Sequence, residues 1–440
     1  MADRAGTAPQ PAQGTGGLSL RRLFAATEID LRLFGMLVAL AAIWIGFGIV
    51  TGGKILQPAS IVTLSVQTTV VAIMATGMVL VIVSRNIDLS VGSTVGVIAM
   101  VYALLMTDWL PNILGIPLDS PLMWSLALVF GLTIGVGIGA LQGFIIAYVG
   151  VPSFIVTLGG LLSLRGIVWL LSNGAAVAGI NETFQHFGGG ATGSIGGTLT
   201  WVLAIIGCVA VIGLLVNNRR QRRRFGFPVR PIWAEVLLAT FGMLAVLGVA
   251  AIANTNFWPR GLADSYAAAN NIPIPPGGLQ IPSGFPSPIL ILIGVTVAMT
   301  FLATRRKFGR YVYAYGGNPE AAELGGINTR WTIMKIYMLM GLLCGIAAVV
   351  LSARSNGATL DLGQDNELDV IAAAVVGGTS FAGGIGTIPG AVLGAFVMQS
   401  LRYGLAFQGV NSPTQNVVVG IVLVVAVGFD TYNRRRGGGS

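Results

Sequence analysis

The feature that most constrains this chain is a succession of long apolar segments. Twelve such segments follow one another between 31 and 432, and about 20 mostly apolar residues are enough for a helix to cross a bilayer. Only 9% of the residues are charged, whereas a soluble domain has roughly 25%. So few charges cannot cover a water-facing surface. The sequence therefore excludes a soluble globular fold and predicts an all-α, polytopic membrane protein in contact with lipid.

The distribution of positive charge predicts how the segments are oriented. Most of the 25 Lys and Arg residues become cytoplasmic if the N-terminus is inside, including the clusters at 219–230 and 305–310. This positive-inside pattern accounts for the net charge of +9 without nucleic-acid binding. We predict two cytoplasmic termini, a disordered tail at 1–30, a transmembrane domain at 31–433 with about twelve crossings, and a second tail at 434–440. Region 370–404 is either one broken helix or a re-entrant pair.

Two glycine-rich segments interrupt the apolar sequence at comparable positions of its two halves. The first, at 84–93, reads Ser-Arg-Asn-Ile-Asp-Leu-Ser-Val-Gly-Ser, and the second, at 377–386, reads Gly-Gly-Thr-Ser-Phe-Ala-Gly-Gly-Ile-Gly. Broken helices at matching positions of two halves indicate a transport path, but glycines serve close helix packing equally well. We predict a transmembrane helical bundle with two internal structural repeats and Gly-rich broken helices.

Asp88 and Arg165 are isolated charges between or within strongly apolar segments. An ionisable residue at membrane depth is costly and is by default functional. Asp88 either lies on a solute path or caps the helix predicted after Ser90, where the first amides lack helical partners. Arg165 needs a partner inside the membrane, and we predict that it pairs with another helix.

The segment 305–331 contains the most specific local signal in the chain. Asn318 and Pro319 are typical of a helix start, with Asn as the N-cap and Pro at the first helical position. Glu320 and Glu323 complement the positive end of the helix dipole, and Gly325, followed by a second glycine, ends the helix. A rigid, capped helix with two small residues at 321 and 322 fits the groove of another protein. The segment therefore predicts a mechanical contact with a partner.

This segment resembles the coupling loop of the ATP-binding-cassette permeases that import monosaccharides. Those permeases have a Phe-Gly-Arg-x-x-Tyr-Ala-x-Gly-Gly-Asn pattern, followed by Ala-Ala and Gly-Ile-Asn, which is similar to residues 308–328. Further similar stretches lie at 78–93, 152–158, 165–166 and 376–386, so the resemblance covers about 34–433. The long basic loop at 219–230, with a pair of spans around it, resembles the xylose-type members of the family.

The resemblance implies an assembly and a set of functional residues. Two copies of the chain would form the path, a separate ATPase subunit would hold ATP–Mg²⁺, and a periplasmic binding protein would deliver a pentose such as xylose at the bacterial inner membrane. This chain itself would need no cofactor. The contact with the ATPase would use Gly317, Asn318, Pro319, Glu320, Ala321, Ala322, Glu323 and Gly325. The substrate pathway would use Asn86, Asp88, Ser90, Phe154, Thr379 and Ser380. The family usually has a small residue at the position of Asn86, which tolerates left-handed backbone.

Other functions are weighed by what the sequence contains. It has no Gly-x-x-x-x-Gly-Lys-Ser/Thr phosphate-binding loop, so we do not expect it to hydrolyse ATP itself. The alternative is a gradient-driven secondary transporter of a small polar solute, which needs intramembrane carboxylates. Asp88 is the one carboxylate predicted to lie within the membrane, because the acidic residues at 361–369 are predicted on the outer side of the membrane. A membrane enzyme or receptor ranks last, since no catalytic pair or metal-ligand spacing is found around Cys208, Cys344 or His186.

Overall fold

The protein is a bundle of helices. A computed structural model describes residues 31–437, with side chains from 33 to 425, and helices account for 75% of the residues. The predicted tail at 1–30 and the end of the predicted tail at 434–440 lie outside the described residues. Among the described helices, nine are long and apolar enough to cross a bilayer. The predicted all-α, polytopic bundle is confirmed.

The helices follow one another as α1 (Leu31–Val50), α2 (Pro58–Val83), α3 (Val91–Leu104), α4 (Pro121–Phe144), α5 (Ser153–Ser172), α6 (Gly197–Arg224), α7 (Ile232–Asn254), α8 (Arg260–Ala269), α9 (Ser287–Arg305), α10 (Lys307–Gly317), α11 (Pro319–Leu324), α12 (Thr329–Arg354), α13 (Asn366–Val376), α14 (Ile388–Phe407) and α15 (Ser412–Gly437). Further turns extend α3 to Leu114 and α4 to Val149, and shorter turns lie at Lys54–Leu56, Glu182–Gln185 and His186–Gly188. Two short strands, β1 (Val177–Ala178) and β2 (Gly357–Ala358), pair antiparallel.

Helices α2 and α12 form the centre of the bundle. Every residue of α2 from 72 to 83 is buried, and α12 packs against α2, α3 and α4. Glycines let α4 and α12 approach closely, because a Cβ at Gly139 would meet the backbone of Tyr337, and one at Gly341 the backbone of Gly135. These glycines, which lie outside the two glycine-rich segments, serve close helix packing.

Both glycine-rich segments interrupt helices inside the bundle. The first joins α2 to α3, and α3 begins beside the middle of α12, where the Val91 carbonyl accepts a hydrogen bond of 3.8 Å from Cys344 Sγ. The second is the loop 377–387 between α13 and α14, which pack against each other. Region 370–404 is therefore a pair of helices joined by a loop. The 11 residues of α13 span about 16 Å, half of a bilayer core, so the count of about twelve crossings stays a prediction.

A four-residue repeat links the two halves. Ser-Asn-Gly-Ala occurs at 172–175, at the end of α5, and again at 355–358, at the end of α12. Both asparagines adopt a positive φ, 51° at Asn173 and 50° at Asn356. The first copy precedes β1 and the second contains β2, with Val177 opposite Ala358. The strand pairing thus joins the ends of α5 and α12.

Candidate functional site

Helix α11 is a short, capped helix in the loop between α9 and α12, as the sequence predicts. Asn318 Oδ1 accepts a hydrogen bond of 3.0 Å from the Ala321 amide, and Pro319 occupies the first turn. Gly326 has a φ of +80°, a backbone conformation that favours glycine and ends the helix. Both ends of α11 are therefore fixed by local contacts, as a rigid contact helix requires.

The exposed face of α11 differs in one residue from the prediction. Glu320, Ala321 and Glu323 are exposed, but Ala322 is only 5% exposed and packs inward. Adjacent helical residues point about 100° apart, so the two alanines cannot both face a partner. Leu324, which the sequence analysis did not single out, is 90% exposed. The accessible surface of α11 is therefore Glu320, Ala321, Glu323 and Leu324.

Arg85 joins the base of α11 to the first glycine-rich segment. Its guanidinium donates two hydrogen bonds of 2.8 Å, from Nε to the Gly316 carbonyl and from Nη2 to the Gly317 carbonyl. Arg85 itself has a φ of 60°, which is uncommon for a residue with a side chain. Hydrogen bonds from a charged donor are stronger than neutral ones. The end of α10, from which α11 continues, is therefore held against the loop that leads into α3.

The same part of α10 contacts the second glycine-rich segment. Tyr313 donates a hydrogen bond of 2.7 Å to the Gly386 carbonyl, and burial raises the pKa of this hydroxyl above its ordinary value, which keeps it protonated. The Gly384 amide donates a bond of 2.9 Å to the Val83 carbonyl. A Cβ at Gly316 would meet both the Val83 carbonyl and the Gly384 amide. We call residues 83–86, 313–317 and 383–386 the loop junction.

The predicted pathway residues lie near this junction but do not form one cluster. Asn86 donates to the Ser84 carbonyl at 2.9 Å. Thr379 and Ser380 are buried in the loop 377–387, and the Thr379 hydroxyl has no hydrogen-bond partner among the described residues. Phe154 is 51% exposed at the start of α5.

Asp88 is held by the residues next to it. Its Oδ1 accepts hydrogen bonds from the Ser90 amide at 2.9 Å and from the Ser90 hydroxyl at 2.6 Å. The same hydroxyl accepts a hydrogen bond of 2.9 Å from the side-chain amide of Gln142 on α4. Asp88 is buried. The geometry supports the capping role that the sequence left open, because the carboxylate binds the residue directly before α3.

The family of the chain follows from its similarity to known proteins. Residues 186–427 match the model of a family described as the permease component of a branched-chain amino acid transport system. The xylose transport system permease protein of Haemophilus influenzae is 35% identical over 94% of this chain and 100% of its own length. The chain belongs to this family of transport permeases. It is a transport component rather than an enzyme.

Further relatives of the permease agree with this assignment. The xylose transport system permease protein of Escherichia coli K12 is 35% identical over 93% of this chain and 94% of its own. The ribose import permease protein of the same strain is 31% identical over 83% of each chain. No solved structure matches the permease.

Two acidic residues of the cluster at 361–369, which the sequence analysis placed on the outer side of the membrane, are buried among the helices of the permease. Glu367 and Asp369 are buried in α13. Glu367 lies 3.1 Å from the guanidinium of Arg165 on α5, which confirms that Arg165 pairs with another helix. Asp369 lies 2.8 Å from Arg402 on α14. The sequence analysis did not recognise these ion pairs, because the two acidic residues adjoin a hydrophilic segment and their arginine partners lie on helices distant in the sequence.

We expect Arg165→Met to lower the melting temperature of the purified permease. The substitution leaves the Glu367 carboxylate, whose side chain is only 6% exposed, without its partner, and breaking a buried ion pair costs about 3–5 kcal/mol. We expect a loss of stability of about 3 kcal/mol or less, because the Arg165 side chain is 37% exposed and solvent weakens its attraction to Glu367. The double variant Arg165→Met/Glu367→Gln should recover most of the loss. An unchanged melting temperature in the single variant would show that the pair does not stabilise the fold.

Proposed function

We propose that the chain is the membrane-spanning subunit of an ATP-driven importer for a monosaccharide, xylose or a related pentose. The observation that carries the proposal is the capped helix α11, with its exposed Leu324, anchored through the loop junction to both glycine-rich segments. Similarity to xylose transport system permease proteins over at least 93% of the chain supports the substrate class. The chain would take no cofactor, since ATP–Mg²⁺ would bind to a separate ATPase subunit.

The proposed mechanism needs a bundle with two stable arrangements and a force applied at one end. Two copies of the permease would enclose the path, and each would insert α11 into a cleft of an ATPase subunit. ATP binding would draw the ATPase subunits together and move both copies of α11. The two Arg85 bonds would transmit this movement to the start of α3, and the Tyr313 bond would transmit it to the loop between α13 and α14. Hydrolysis would reset the bundle.

The remaining partners follow from the direction of import. A periplasmic binding protein would deliver the sugar at the outer ends of the helices, where α12 ends and α13 begins. The permease would lie in the bacterial inner membrane with both termini and α11 in the cytoplasm. The basic loop between α6 and α7 would then also be cytoplasmic, in agreement with the positive-inside rule.

A gradient-driven transporter is the second candidate, and the two buried carboxylates of α13 are the observation that favours it. Coupling to protons or Na⁺ uses intramembrane acidic residues. Each of these carboxylates, however, lies beside an arginine at 2.8–3.1 Å, and the Asp88 carboxylate is bound by Ser90. Carboxylates held in this way are poor sites for a coupling ion, so we favour the ATP-driven importer.

Uptake by the reconstituted complex tests the proposal. Proteoliposomes that contain the permease, its ATPase and its binding protein should take up radiolabelled xylose when ATP is supplied to the ATPase side. Protonophores and Na⁺ ionophores should leave this uptake unchanged. Uptake that follows an imposed ion gradient and ignores ATP would contradict the proposal and support the second candidate.

A further inference from the structure

A polar cavity opens between the outer parts of five helices. Its volume is about 480 Å³, within the range of small-molecule sites. It lies between α2, the end of α12, the start of α13, α14 and the start of α15. Most of its lining residues carry an amide, a carboxylate or a guanidinium. A site of this polarity is unexpected in a bundle whose spans are almost entirely apolar.

One wall of the polar cavity is a continuous hydrogen-bonded network. Gln399 donates to Asp369 at 3.0 Å, and Arg402 donates to the same carboxylate at 2.8 Å and to Asn416 at 2.9 Å. Asn416 in turn donates to Asp365 at 3.1 Å. Each side chain of this wall is fixed by at least one neighbour. The wall is therefore preorganised, as a binding surface needs to be.

Four other lining side chains offer polar groups that the protein does not use. The side chains of Gln67, Gln364 and Asn366 line the cavity, as does that of Arg354. None of the four has a side-chain hydrogen bond within the part of the chain that the structure describes. An amide both donates and accepts hydrogen bonds, and so does each hydroxyl of a sugar. These four side chains therefore match a hydroxyl-rich solute.

The polar cavity shares the α2 helix with another cavity. A second cavity of about 430 Å³ lines the same helix nearer its start, at Val62 and Val66, and shares Arg354 with the polar cavity. The polar cavity continues along α2 at Gln67 and Val71. Beyond this point every residue of α2 to position 83 is buried. The two cavities thus follow one helix from its outer end to the place where the bundle closes.

We infer that the polar cavity is a subsite that receives the monosaccharide from the binding protein and holds it before the bundle opens inward. The inference rests on the proposed function and adds a site within the permease itself. A cation is the less suitable occupant, because two of the three aspartates, Asp365 and Asp369, are already hydrogen-bonded and two arginines balance their charge. Five amide side chains around the cavity suit neutral hydroxyls better.

Direct binding of xylose to the permease–ATPase complex tests the site. Radiolabelled D-xylose should bind saturably to the detergent-solubilised complex without binding protein or nucleotide. We expect Gln67→Leu, which removes hydrogen-bonding groups at similar volume, to raise the dissociation constant about 3- to 10-fold, the effect of one typical hydrogen bond. Gln364→Ala, in the more exposed segment before α13, should act in the same direction. Gln57→Leu, ten residues earlier, directly before α2 and outside the cavity, should leave binding unchanged.

Each outcome bears on the subsite separately from the proposed function. Equal dissociation constants for Gln67→Leu, Gln364→Ala and Gln57→Leu, or no saturable binding of xylose, would overturn the subsite, even where ATP-driven uptake persists. Xylose binding that Na⁺ abolishes by competition would assign the cavity to a cation and would overturn it as well. Loss of ATP dependence in proteoliposomes would instead contradict the proposed function. Size-exclusion profiles like that of the native complex establish that the variants are folded.

Discussion

Leu324→Glu is expected to abolish capture of the ATPase by the purified permease and, with it, ATP-driven uptake. Leu324 is 90% exposed at the end of α11, beside a face made of short and acidic side chains. Burying a leucine side chain in a partner's cleft contributes about 1.5–3 kcal/mol, and a charge buried in its place costs more, so the substitution should weaken binding at least about tenfold. The measurement is co-purification of the ATPase with the tagged permease.

The matched control for this variant is Leu118→Glu. Leu118 is also an exposed leucine, but it lies in the loop between α3 and α4, away from α11. The control should retain the ATPase in native amounts, and both variants should keep their elution volume. Equal capture of the ATPase by the two variants would show that α11 is not the docking helix.

Gly316→Ala is expected to abolish uptake while the ATPase still docks. The added methyl group would meet the Val83 carbonyl and the Gly384 amide, so the three parts of the loop junction could not remain in contact. Because α11 lies after this point and keeps its own cap, its outer face should be unchanged. The expected result is an ATPase that binds and hydrolyses ATP without moving xylose, measured as the ratio of xylose imported to ATP hydrolysed.

Two further variants sharpen this experiment. Gly294→Ala, on α9, has no heavy atom within 4 Å of the added carbon, and it should leave the ratio unchanged. Arg85→Met removes both bonds to the Gly316 and Gly317 carbonyls and should lower the ratio at least about tenfold, since each hydrogen bond to a charged group contributes about 1.5–3 kcal/mol. If Gly316→Ala keeps the native ratio of xylose imported to ATP hydrolysed, the movement of α11 does not reach the bundle through the loop junction.

The features that sequence reasoning predicted are those whose causes are local. The cap of α11 depends on Asn318 and an amide three residues later, a spacing that is typical of helix caps. Such short spacings can be recognised in any sequence. The apolar segments are equally local, because a span is recognised by its own composition. This is why the helices and the ends of α11 agree with the prediction.

The features that sequence reasoning missed depend on residues far apart in the chain. Arg85 contacts Gly316 across 231 positions, and the partner of Arg165, whose pairing was predicted without naming the partner, is Glu367 across 202. Acidic residues next to a polar loop were assigned to that loop, since their arginine partners lie on other helices. The polar cavity was missed for the same reason, because its groups come from five helices that each contribute only a few polar residues.

The most direct test of the central claim uses the permease alone. The claim is that this chain forms a gate, and that the ATP cycle of a separate subunit opens and closes this gate by moving α11. Permease in sealed vesicles, without its ATPase, should not accumulate radiolabelled xylose against its concentration under ATP or under an imposed proton or Na⁺ gradient. Adding the ATPase and the binding protein should restore accumulation. Accumulation by the permease alone under an ion gradient would contradict the account.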